Sequence, residues 1–129
     1  MGYTIDRRIE GAAFGEVVAR TRAALAERGF GVLTEIDVQA TMKAKLDAEM
    51  DPYLILGACN PRMAFRALGA EPRIGAMLPC NVILRGLPDG AVEVSAVDPV
   101  ASMAAVENAD LAEVAGKVRE LLREAVEGV

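Results

Sequence analysis

The chain has 129 residues, 53% of them hydrophobic and 26% charged, with a net charge of −5 and no histidine. One domain spanning 1–129 accounts for that length, and a fold of this size buries roughly two thirds of the surface its unfolded chain exposes, without needing a disulfide or metal. The acidic balance argues against nucleic-acid or anionic-membrane partners, which begin with a basic surface, and aromatics at 4% are too few for base stacking. The longest uncharged stretches, Pro52 to Pro61 and Ile74 to Leu84, fall well short of the roughly 20 apolar residues of a membrane helix. The opening residues lack the apolar core of a signal peptide, and Asp6 stands where a myristoylation motif takes Ser or Thr, so a cytoplasmic protein is expected. In that reducing compartment the two cysteines are expected as thiols.

In chain order, Tyr3 to Ile9 reads as a short strand with Tyr3, Ile5 and Arg7 on one side. From Ala12 to Arg28, Phe14, Val17, Val18, Thr21 and Leu25 recur at helical spacing, and Gly29 is a natural stop. Gly31 to Val38 alternates, which predicts a half-buried strand with Val32, Ile36 and Val38 on one face and Leu33, Glu35 and Asp37 on the other. A charged helix follows from Ala40 to Met50. Pro52 to Cys59 is a continuous apolar run, hence a strand covered on both faces. Asn60-Pro61 signals a helix start, with a two-turn helix through Leu68 ending at Gly69. Leu78 to Arg85 and Ala91 to Val97 are two strands joined as a hairpin by Gly86-Leu87-Pro88-Asp89-Gly90. After Asp98-Pro99 comes a small helical segment. Asn108 then caps a final helix with Leu111, Val114, Ala115, Val118, Leu121, Leu122 and Ala125 on one face. The sum is an α+β two-layer sandwich with a mostly antiparallel sheet and short inserted helices.

Four ordered segments carry a family resemblance: Gly29 to Val38, Tyr53 to Pro61, Leu78 to Val82, and Val97-Asp98-Pro99. Together they resemble the prokaryotic family known as domain of unknown function 302, over roughly the whole chain. The resemblance implies a TATA-binding-protein-like topology of strand, helix, four strands and helix, in a homodimer. It implies no established reaction, and the sequence names no cofactor. Both cysteines and both asparagines of the family pattern are present.

Cys59 and Cys80 are the only soft ligands besides methionine, and the strongest side-chain nucleophiles near neutral pH. If their strands are antiparallel neighbours, the two could face each other with α-carbons about 4.5–5.5 Å apart, within disulfide range. Cys59 also precedes a helix start, whose positive end favours an anion. Three functions follow. The first is a binding protein that holds a small ligand, or a soft metal such as Cu(I) on Cys59 and Cys80, with Asn60 and Asn81 as polar contacts and Met63 or Met77 as extra ligands. The second is an enzyme for dithiol redox or sulfur transfer, in which Cys59 attacks and Cys80 resolves. The third is a homodimeric interaction module whose cysteines merely pack. Zinc is disfavoured, because two cysteines make half a tetrahedral site and no histidine completes it. The missing histidine also excludes Ser-His or Cys-His triads. Glu35 and Asp37, two apart on one strand, are a candidate acidic pair aimed into one cleft, against a plain solvated face. Asp98 before Pro99 reads as a turn residue.

Overall fold

A computed structural model describes residues 2–129. Strands β1 (Thr4–Ile9), β2 (Gly31–Asp37), β3 (Tyr53–Cys59), β4 (Cys80–Gly86) and β5 (Val92–Val97) form one sheet, ordered β1-β5-β4-β3-β2 and antiparallel throughout. Helices α1 (Phe14–Glu27) and α5 (Ala109–Glu127) pack together and on one face of this sheet, and α3 (Pro61–Ala70) packs against α5. The shorter helices α2 (Val38–Leu46) and α4 (Pro99–Ser102) fill connections. The expected α+β two-layer sandwich is therefore the observed one.

Strand alternation builds the core. Leu54, Leu56 and Ala58 of β3, Val82 and Leu84 of β4, and Val92, Val94 and Ala96 of β5 all turn toward the helices and are buried. The stripe Leu111, Val114, Ala115, Val118, Leu122 and Ala125 of α5 meets them. Each fully buried Leu or Val in this layer contributes about 1.5–3 kcal/mol relative to an exposed one. The opposite sheet face carries Tyr53, Ile55 and Gly57 of β3, with Asn81, Ile83 and Arg85 of β4. Of the long helices, none covers that side.

The expected β2 faces do not hold. Val32 lies opposite Ala58, but the register then slips, and Thr34, Glu35 and Ile36 lie opposite Gly57, Leu56 and Ile55. Residues directly opposite share a face, so the extra residue at Leu33 reverses the alternation. Val32 and Glu35 therefore point to the helix side, and Ile36 to the open side. Val38 is not a strand residue either. Asp37 accepts a hydrogen bond from the Ala40 amide at 2.9 Å and starts α2 there.

Asn60 caps α3 as the Asn-Pro signal predicts: its carboxamide oxygen accepts from the Met63 amide at 3.3 Å, and its Nδ2 reaches the Arg28 carbonyl at 3.5 Å. One side chain thus joins the end of α1 to the start of α3. The predicted helix runs past Gly69 to Ala70, and a 3-10 turn over Pro72–Met77 follows. Pro99 and Asn108 start α4 and α5 as their residue types suggest.

Arg7 explains its place beside Ile5 on the inner face of β1. Its guanidinium donates to the main-chain oxygens of Val126, Glu127 and Val129 at 3.3, 2.6 and 2.7 Å. Val126 and Glu127 end α5 and Val129 follows it, and a cation suits the negative end of the helix. Among the described residues no helix is long and apolar enough to cross a membrane.

Candidate functional site

The cross-strand cysteine pair does not form. Cys80 lies opposite Ala58 on β3, and Cys59 lies opposite Gly31 on β2. The two sulfurs belong to adjacent rungs, on opposite sides of the pleat, and both cysteines are free. The displacement is one residue, and in a strand one residue changes the face.

What the fold does assemble is a small cavity at this end of the sheet. Ala58 and Cys59 of β3, Asn60 and Met63 at the start of α3, Cys80 of β4, Met103 after α4, and Val114 and Val118 of α5 line it, with Phe30, Leu78 and Pro79 closing the sides. Its volume is about 30 Å³, and it exposes no polar surface. By that measure about 10–15 Å³ admits one water, but a water needs two to four polar partners, so the chemistry favours an apolar occupant. Four sulfur-bearing residues, Cys59, Cys80, Met63 and Met103, share this lining. Met63, at the start of α3, lines the cavity beside both cysteines. Met77, the other candidate ligand, is 48% exposed and lines a separate cleft on the open face of the sheet.

Cys80 is buried among hydrophobic residues, and the loss of solvation, with a further contribution from Cys59, pushes its thiol up to about 11. Around neutral pH it is a neutral thiol. That property suits apolar packing and ligand contact better than nucleophilic attack, which needs thiolate. Among the described residues no cluster of three or more His, Cys, Asp or Glu is placed to hold a metal.

The remaining candidates separate. Asn60 turns its polar atoms to the two helix ends, while Asn81, one residue after Cys80, lies on the open sheet face beside Ser95 and Ile83. Glu35 and Asp37 border one shallow depression with Thr41 and Lys45, but each has other work. Glu35 pairs with Arg22 of α1 at 2.9 Å, and Asp37 caps α2. Asp98 is structural as expected: it accepts from the Val100 amide and pairs with Arg119, both at 2.9 Å. Sequence reasoning missed Phe30, Met103, Val114 and Val118 as cavity walls. Met103 and the apolar face of α5 were visible in the sequence, but only tertiary packing brings them to Cys80.

A five-stranded antiparallel sheet carrying two long helices on one face, with a sulfur-lined cavity at the sheet end, defines a two-layer α+β domain. The chain belongs to the family described as Domain of unknown function DUF302, whose model matches residues 5–129. Its fold is similar to that of an uncharacterized conserved DUF302 protein from Bacillus stearothermophilus, known from a crystal structure, with a TM-score of 0.91, 23% identity and 98% of each chain covered. No match was found among curated proteins.

Proposed function

We propose that this protein is a cytoplasmic binding protein that holds a small, uncharged, apolar molecule in the cavity beside Cys59 and Cys80. The observation that carries this reading is the lining, which exposes no polar surface, with the one deeply buried thiol kept neutral. A charged ligand would lose its hydration there and gain no partner. The test uses xenon as probe, read by methyl NMR of the whole chain. Saturable shifts at the Met63 and Met103 methyls, abolished when Ala115→Leu fills the cavity, are the expected result. Unmoved methionines, or shifts that persist in Ala115→Leu, refute it.

Cys80, Met63 and Met103, which share the cavity lining, favour one second reading, a Cu(I) site. Coordination would strip the Cys80 proton despite its high pKa. Competition with a Cu(I)–bicinchoninate complex decides: withdrawal of copper by the wild type, lost in Met63→Leu and Cys80→Ala, would replace the apolar-ligand reading.

The partner we propose is a second copy of the chain, added along β2. This edge strand is paired only to β3, most of its residues are exposed, and Leu33 and Ile36 are 69% and 48% exposed, with Leu46 nearby in sequence at 70%. Monomeric proteins commonly blunt such an edge with charge or cover. Light scattering is expected to give a dimer for the wild type and a monomer for Leu33→Lys/Ile36→Lys. A monomeric wild type would overturn the assembly.

A further inference from the structure

A second cleft lies on the side of the sheet that the long helices leave open. Its floor is formed by Ile83 and Asn81 of β4 and Ser95 and Val97 of β5, with Tyr53 toward β3. Its volume is about 450 Å³, and Leu78 and Pro79 form a wall that it shares with the cysteine cavity. Register explains the floor. Ser95 sits opposite Ile83 on one side and Asp6 on the other, and Thr4 sits opposite Val97, so their side chains share the open face.

The polar groups here are all uncharged. Tyr3, Thr4, Tyr53, Asn81, Ser95 and Ser102 offer hydroxyls and one carboxamide, and no charged side chain lines the cleft among the described residues. Ser95 stands out, being only 4% exposed while its hydroxyl has no hydrogen-bond partner among the described residues. No fully enclosed side-chain oxygen in the described chain lacks a partner, so the Ser95 hydroxyl keeps a solvent path, and the cleft it lines supplies that path. A nearly buried hydroxyl aimed into a roomy cleft is a group prepared for a ligand atom.

We propose that this cleft binds a neutral polyhydroxylated ring of monosaccharide size. The warrant is matched chemistry. A sugar hydroxyl both donates and accepts, as do the hydroxyls of Ser95, Thr4 and Tyr53 and the amide of Asn81. The apolar face of such a ring suits Ile83, Val97 and the Tyr53 ring, and a cleft within about 300–1,000 Å³ is the usual size for a small-molecule site. An anionic or cationic ligand would find no countercharge in the lining. This site is separate from the cysteine cavity and does not depend on what that cavity holds.

The test is an amide NMR titration of the full chain with methyl β-D-glucopyranoside, methyl β-D-galactopyranoside and myo-inositol in turn. Saturable shifts confined to Thr4, Asn81, Ile83, Ser95 and Val97 with at least one probe are expected. Ser95→Ala, which removes the hydroxyl and adds no bulk, should weaken binding at least fivefold. Asn81 is exposed, so Asn81→Ala keeps the test valid should the Ser95 variant unfold, and it should weaken binding at least threefold. No saturable shift with any probe, shifts elsewhere on the surface, or unchanged affinity in a folded variant overturns the proposal. So does a concentration dependence of the same resonances without sugar, which would mean that a second copy occupies this face.

Discussion

Replacing Gly57 with alanine is expected to destabilise the fold by roughly 2–3 kcal/mol and to lower the Tm by about 10 °C. A Cβ at this position would collide with the Thr34 hydroxyl and stand 2.7 Å from Cγ of Pro79. Thr34 can turn away, because it is exposed on the edge strand. The Pro79 ring cannot. Its own backbone fixes it, and it walls both the cysteine cavity and the open-face cleft. Thr34→Ala alone should therefore change little, while Gly57→Ala/Thr34→Ala should recover only part of the loss. Urea denaturation of the three variants measures this. If Gly57→Ala unfolds within 0.5 kcal/mol of the wild type, the close packing of Thr34 and Pro79 over Gly57 is not what the position requires.

The second large effect is alkaline. Burial raises the Cys80 thiol from 9.0 to about 11, so between those values the unfolded chain releases a proton that the folded chain keeps. Stability is therefore intact below about pH 9 and falls as pH rises through about 11. The total loss for a shift of this size is about 2–3 kcal/mol. Denaturation midpoints taken at half-unit steps from pH 8 to 11.5 should show the fall. In Cys80→Ala the baseline is lower, because a buried side chain is lost, but the fall between pH 9 and 11 should flatten. An equal slope in both proteins would assign the alkaline loss to other groups.

The elements that could be read from sequence are those whose signals are local. The stripe of α5 repeats at helical spacing over about four turns, the Asn60-Pro61 step carries its own capping chemistry, and the Pro88-Asp89-Gly90 turn closes a hairpin between adjacent strands. Errors fell where geometry depends on a distant partner. The period of two in Gly31 to Val38 looked unbroken, but pairing with β3 inserts an extra residue at Leu33 and moves Glu35 to the side of Leu56. The cysteines failed for the same cause: nothing within Tyr53 to Cys59 or Cys80 to Gly86 says which rung meets which, and a slip of one residue sets Cys80 against Ala58. The neighbourhood of Cys80 was harder still, since Phe30, Met103 and Val118 come from three separate parts of the chain. Asn60 and Asn81, equivalent in the two tripeptides, have different roles because one ends a strand and the other continues one.

The clamp between Arg7 and the residues that close and follow α5 spans up to 122 residues, to Val129. The strand that carries Arg7 has β5 as its sole partner in the sheet. Residues 4–9 are therefore synthesised well before their sheet partner, Val92–Val97. The bonds of the clamp close a loop of up to 122 residues, so they repay their closure entropy only once the two ends of that loop have been brought together.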